Sequence, residues 1–184
     1  MLKFIYIYFF ISIFLSIKVV FSEEVDLGEI SISANLSPTN INNVGSSVTL
    51  ITKDEIENNP YPYFIDFIQN VPGVSISQNG PKGSSSSVFI RGLGLEYVKV
   101  LVDGINYGDV SSIPVVPNVS GFTLSNVDKI EVLKGSQSSL YGSSAIGGVI
   151  SILTNNFDEN GKVNFEIGSY NTVSINLSKK LKSD

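Results

Sequence analysis

The residue types that most often perform chemistry are missing from this chain. Its 184 residues include no histidine and no cysteine. That removes the commonest general base, the commonest transition-metal ligand, the thiolate nucleophile and every disulfide. Serines are plentiful, but no Ser-His-Asp triad can assemble without histidine. Two glycine-rich stretches also fall short of a chemical motif. Gly142 to Gly148 (GSSAIGG) lacks the Gly-Lys-Ser/Thr that completes a phosphate loop. Asp103 to Asp109 (DGINYGD) has Ile105 where a calcium loop needs an oxygen ligand, and no bidentate glutamate closes it. These patterns indicate no catalytic residues, no metal site, no cofactor and no enzyme. What remains is recognition by charge, stacking and hydrogen bonding.

Arg91 is the first residue to fit that description. Eleven lysines supply all other positive charge, and Arg91 is the sole arginine. It follows a strand-like run, Val88-Phe89-Ile90, and precedes Gly92. A guanidinium keeps its charge in a dry interface and grips a carboxylate through two parallel hydrogen bonds; lysine does neither as well. The plainer reading is a solvated surface cation.

The elements that must position such residues are legible in outline. Residues 1–22 have a weakly basic start at Lys3, an apolar run from Phe4 to Ile17, and the cleavage-type ending Val20-Phe21-Ser22. That is the pattern of a secretory signal peptide. A membrane anchor is the alternative, but it needs about 20 apolar residues and the run is shorter. Removing residues 1–22 leaves 10 basic against 17 acidic residues, a net charge of −7. A basic stripe for nucleic acid is therefore absent. Residues 23–34 are acidic with a short alternating core. Residues 35–46 are rich in Asn, Ser, Pro and Gly and read as a linker.

Residues 47–155 carry the globular pattern. A strand is expected at Val48–Ile51, then a short helix opened by the capping-box spacing of Thr52 and Glu55. A second helix is expected with Pro62 in its first turn and Tyr61, Phe64, Ile65 and Ile68 on one apolar face, ended by Val71-Pro72-Gly73. Short strands follow at Val74–Ser77, Ser87–Ile90, Tyr97–Val102, Lys129–Leu133 and Gly148–Leu153. Between the last two, Ser136 is expected to cap a one-turn helix, Gln137–Tyr141, which Gly142 ends. This describes an α+β unit with a small mixed β-sheet and short helices. In residues 156–184 the pattern changes to strict alternation. Val163, Phe165 and Ile167, then Val173, Ile175 and Leu177, alternate with polar residues across Gly168 to Asn171. That is a hairpin with one apolar and one polar face, as in a soluble sheet or in a membrane barrel.

Four blocks occur in a telling order: FIQNVPGVSIS (Phe67 to Ser77), VFIRG (Val88 to Gly92), VKVLVDGI (Val98 to Ile105) and VDKIEVLKGSQSSLYGSSAIGGVISILT (Val127 to Thr154). Together they resemble the plug domain of TonB-dependent outer-membrane receptors, most closely the cobalamin (vitamin B12) branch. The resemblance spans Val48 to Thr154. It departs from the family pattern at Lys134 and Ser136, where Arg and Pro are usual, and at Asn155, where Lys is common.

The resemblance implies a plug inside a barrel of about 22 strands, in an outer-membrane receptor that imports a scarce nutrient such as cobalamin or an iron-siderophore. Residues 156–184 would then be the first one or two strands of an incomplete barrel, whose remaining strands lie outside this chain. Arg91 and Lys134 are the implied contacts to the barrel wall. Asp26 to Ala34 (DLGEISISA) resembles the TonB box, with Leu27, Gly28, Glu29, Ile30, Ser31, Ile32 and Ser33 as the segment offered to TonB, the inner-membrane energy-coupling partner. An extended peptide of this kind can add as a strand to a partner's sheet edge. The plug loops around Gln78, Asn79, Asn106 and Tyr107 would face a small-molecule or metal-chelate ligand. A periplasmic adaptor without a pore, or a receptor fragment without function, are the rival readings. N-terminal sequencing of the exported protein is expected to begin at Glu23; a chain still starting at Met1 would remove the export argument.

Overall fold

The computed structural model describes residues 30–31, 37–59, 61–111, 113–154, 162–169 and 173–179. The expected signal peptide lies outside the described residues, as does all of the TonB-box-like segment except Ile30–Ser31. The described part of the chain begins with strands β1 (Ile30–Ser31), β2 (Thr39–Asn40) and β3 (Ser47–Ile51). Helices α1 (Lys53–Glu57) and α2 (Phe64–Ile68) follow. Next come β4 (Val74–Gln78), β5 (Ser86–Ile90), β6 (Leu93–Gly94), β7 (Val98–Val102) and β8 (Ile105–Asn106). Strand β9 (Val127–Lys134), helix α3 (Ser138–Tyr141) and strand β10 (Gly148–Thr154) complete the central unit. Strands β11 (Lys162–Ile167) and β12 (Val173–Ser178) form a separate hairpin.

The main sheet has the order β3-β9-β10-β7-β8. Its neighbours are antiparallel except β7 and β10, which run parallel with Val98 opposite Gly148 and Val102 opposite Ile152. The sheet is therefore mixed, as the sequence indicated. Alternation along each strand divides the apolar residues between its faces. On one face Val98, Val100, Ile130, Val132, Ile150 and Ile152 pack with Phe64 and Ile68 of α2 and with Val88 and Ile90 of β5. On the other, Leu101, Leu133 and Val149 pack with Ala145. Burying each such side chain contributes about 1.5–3 kcal/mol. A second, smaller sheet of β4, β5 and β6 lies over the first face.

Helix α1 forms as its spacing dictates. Glu55 Oε2 accepts from Thr52 N–H at 2.8 Å, and Thr52 Oγ1 accepts from Glu55 N–H at 3.5 Å. Helix α2 differs from expectation. Tyr63 is its N-cap, so Pro62 precedes the helix and does not occupy its first turn. Tyr61 is exposed, and Phe67 takes a place in the core beside Phe64, Ile65 and Ile68. The helix has only five residues, and all but Asp66 of them are buried. Helix α3 is likewise shorter than expected. Gln137 occupies its N-cap without a side-chain bond, while the Ser136 hydroxyl meets the Ser138 hydroxyl at 3.1 Å. The stretch read as a linker holds β2 and a single 3₁₀ turn, Ile41–Asn43.

Two hairpin turns share one device. Arg91-Gly92 joins β5 to β6 and Asp103-Gly104 joins β7 to β8, each as a two-residue loop with positive φ at both positions. That turn matches the right-handed twist of the strands it connects. Strand β8 was absent from the sequence expectation, although Asp-Gly between apolar runs is the strongest short-range sign of such a hairpin. The β11–β12 hairpin matches expectation closely. Val163 faces Leu177, Phe165 faces Ile175 and Ile167 faces Val173, and all six side chains are exposed.

Where β7, β9 and β10 converge, side chains give way to backbone. A Cβ on Gly148 would lie 2.3 Å from the Leu133 carbonyl oxygen and 2.8 Å from Ile90 Cδ1. Neither the strand backbone nor the buried Ile90 has room to retreat. Gly148→Ala is expected to lower stability by about 2–3 kcal/mol, read from the urea unfolding midpoint. Gly45→Ala, with nothing within 4 Å of the added carbon, should change it by less than about 0.5 kcal/mol.

Candidate functional site

The structure brings Arg91 and Lys134 together from blocks far apart in sequence. The Arg91-Gly92 turn ends β5, and Lys134 ends β9. A methyl group built on Gly73 would sit 3.7 Å from Lys134 Cδ and 3.8 Å from Arg91 Cγ. Gly73 also holds the turn directly, its carbonyl accepting from Arg91 N–H at 2.8 Å. Lys134 Nζ donates to the Pro72 carbonyl at 3.1 Å. No carboxylate among the described residues pairs with either cation. Partial burial and the neighbouring Arg91 guanidinium both push the Lys134 pKa below its ordinary value. The result is two like charges side by side with no countercharge among those residues.

A different region holds the polar loops. A cleft of about 300 Å³ is lined by Asn106, Tyr107, Gly108, Asp109 and Asn118. Strand β8 supplies Asn106, and the segment after it turns back along β7, with Tyr107 N–H donating to the Val100 carbonyl at 2.8 Å. The Tyr107 ring stands edge-on to Phe122 at 5.6 Å, which in turn meets Phe64 edge-on at 5.9 Å. The far wall is tied to the β4–β5 loop. Ser86 Oγ donates to Asn118 Oδ1 at 3.1 Å, and Ser120 Oγ donates to the Ser84 carbonyl at 2.5 Å.

Asn106 and Tyr107 line one and the same cleft. Gln78 and Asn79 do not line it. Gln78 is half-buried, and its Nε2 is spent on the Pro81 carbonyl at 2.8 Å. Asn79 is exposed. Lys82 in the same loop reaches across to the Asp66 carboxylate and stands 4.3 Å from the centre of the Tyr63 ring. Asp109 and Asn118 are the lining residues that sequence reasoning passed over. Asp109 was visible only as part of a rejected calcium motif, and nothing local marks Asn118.

At the N-terminal side, Ile30 pairs with Asn40 and Ser31 with Thr39 in antiparallel register. The part of the TonB-box-like segment that is described is thus a strand, and it is paired within its own chain.

Residues 40–149, more than half of the chain, match the profile of the TonB-dependent Receptor Plug Domain family. The chain belongs to this family. The plug it forms is 37% identical over 123 residues to the vitamin B12 transporter BtuB of Vibrio vulnificus, covering 67% of this chain and 20% of that protein. It also superposes on the siderophore receptor PiuA from Acinetobacter baumannii with a TM-score of 0.60 at 26% identity, covering 79% of this chain and 19% of that one. The pyoverdine outer membrane receptor FpvA from Pseudomonas aeruginosa shares the fold, with a TM-score of 0.66 at 18% identity over 83% of this chain and 22% of that one. The chain spans about a fifth of the length of these relatives.

Within the plug alone, Arg91 is exposed and makes no ion pair among the described residues. Arg91→Lys in the 184-residue chain is expected to shift stability by no more than about 0.5 kcal/mol in urea unfolding. A loss of several times that size would show that the guanidinium holds the plug itself together.

Proposed function

We propose that this chain is the gating and ligand-contacting plug of a TonB-dependent receptor in the outer membrane, serving import of a scarce nutrient of the cobalamin or siderophore class. The plug-family match over residues 40–149 is the observation that carries this reading. Export through the signal-peptide pattern of residues 1–22 accords with it. In this reading the barrel that surrounds the plug begins with the β11–β12 hairpin. The six apolar side chains on one face of that hairpin suit lipid contact, and the alternate positions suit a wet interior.

Arg91 and Lys134 are the proposed contacts to the barrel wall. Two adjacent cations with no countercharge among the described residues favour an external carboxylate, and in a dry interface the arginine would grip it bidentately. The cleft around Tyr107 is the proposed place where the plug meets ligand. The segment Leu27 to Ser33 is the proposed strand offered to TonB. Its described part has a two-residue pairing with β2, far shorter than the five-residue pairing of β3 with β9. Pulling from the N-terminus would therefore release β1 before it strained the main sheet.

Ile30→Pro tests this. Proline removes a backbone donor and is disfavoured in a central strand. In cells carrying this plug followed by a barrel, energised uptake should be lost while ligand binding stays near normal. Capture of the purified N-terminal segment by the periplasmic domain of TonB should fall in parallel. Equal loss of binding and uptake, or undiminished capture, would show that this segment is not the coupling strand.

A further inference from the structure

Asp103 opens the DGINYGD stretch, which lacks the ligands of a calcium loop. The structure gives its carboxylate another task. Strand β7 runs parallel to β10 up to Val102, opposite Ile152. One further bond follows, from Asp103 N–H to the Ile152 carbonyl at 2.9 Å. A continuing parallel ladder would next bring a main-chain carbonyl of β7 to Thr154 N–H. The main chain has already turned away there, with φ of 49° at Asp103 and 81° at Gly104. The side chain takes over. Asp103 Oδ1 accepts from Thr154 N–H at 2.8 Å, and Asp103 Oδ2 accepts from the Thr154 hydroxyl at 2.7 Å.

Both partners stand at the end of an element. Thr154 is the last residue of β10, and it faces Val127 of β9 across a register shift between Leu153 and Thr154. Two residues before Val127, Ser125 Oγ accepts from Asn176 Nδ2 of β12 at 3.1 Å. The hairpin thus touches the plug within two residues of the cross-strand partner of Thr154. On the other side, Gly104 leads directly into β8, which pairs with β7 at only two positions, Ile105 with Val102 and Asn106 with Leu101. Asn106 and the following Tyr107 line the cleft. Bonds to a charged acceptor are stronger than neutral ones. Asp103 is exposed and Thr154 half-buried, so water competes for these two and leaves them a modest strength.

We propose that the Asp103 carboxylate is a clip between two parts of the chain: it fastens the end of β10, where the main chain leaves for β11, to the turn that carries the cleft strand β8. Opening the clip loosens both at once, so a change at the end of β10 is felt in the wall of the cleft. The clip is a property of the fold and does not depend on what a receptor containing this plug imports.

Three variants test it, read by amide hydrogen exchange in NMR spectra of the 184-residue chain in zwitterionic detergent. Asp103→Gly removes the carboxylate and keeps the turn, because glycine accepts positive φ at least as readily as aspartate. Asp103→Asn keeps an acceptor for Thr154 N–H and sets an amide donor against the Thr154 hydroxyl. Thr154→Val breaks one of the two bonds from the β10 side and alters neither β7 nor β8. Asp103→Gly should speed exchange about fivefold at Thr154 and at Tyr107, whose N–H bonds to the Val100 carbonyl. The buried Val132 and Ile150 should be unaffected. Asp103→Asn should restore most of the protection, and Thr154→Val should speed Tyr107 exchange about twofold. Unchanged Tyr107 exchange in Asp103→Gly or in Thr154→Val would overturn the proposal. So would asparagine that protects no better than glycine, since aspartate would then serve only the turn. An equal rise at Val132 and Ile150 would overturn it too, because the carboxylate would then support the whole core.

Discussion

Two backbones meet at Gly148 more closely than any side chain would allow. The strand entering there lies between β9 and β7, antiparallel to one and parallel to the other. Gly147 extends the crossing. Its N–H donates to the Tyr97 carbonyl at 2.8 Å, and its own carbonyl accepts from Gly135 N–H at 3.1 Å. Three segments that are distant in sequence are thereby hydrogen-bonded at one point. A parallel pair inside a small sheet needs a long crossover connection. Here the crossover contains β9, which returns to pair on the far side of β10. The block Gly142 to Gly148 is therefore a packing device, consistent with its failure to match a phosphate loop.

That crossing also sets the charges at this end of the molecule. Strand β9 ends at Lys134, opposite Gly148, and the β5–β6 turn places Arg91 beside it. Along the same strand the plug treats charge differently. Glu131 is fully buried, and its Oε1 lies 2.8 Å from Lys129 Nζ. Removing one partner of a buried pair typically costs about 3–5 kcal/mol, because the other is left uncompensated. Strand β9 therefore carries a charge balanced in its interior and another at its end that meets no carboxylate among the described residues.

The cleft side of the plug is organised by serines and amides. The side chains of Ser86, Asn118 and Ser120 tie the 117–120 segment to the start of β5 and, through the Ser84 carbonyl, to the β4–β5 loop. Lys82 fastens the same loop to α2 through Asp66 and the Tyr63 ring. The chain of edge-on contacts from Tyr107 through Phe122 to Phe64 connects the cleft to the core. The Tyr107 ring therefore rests on a side chain that is itself packed against the middle of the plug.

Local pattern alone determined a good part of this protein. The capping box of α1, most of the strands and the cross-strand apolar pairs of the β11–β12 hairpin follow from spacing and alternation. Both are properties of neighbouring residues. The identity of the fold followed from the order of four blocks, and Arg91 stood out because a lone guanidinium among lysines has a distinct chemistry. Other features were decided only by tertiary structure. Tyr61 lost its expected place in the core to Phe67 because a five-residue helix is oriented by what it packs against, and its own period is too short to settle the matter. Ser136 lost its expected cap to Gln137, since the chain before α3 is held by the Gln137 N–H bond to the Ala145 carbonyl at 2.8 Å. Gln78 turned into its own loop, while Asn118, more than ten residues from Asn106, completed the cleft. Which residues converge on a site depends on strand order and loop return, and these are set by long-range backbone contacts that no local window of sequence contains.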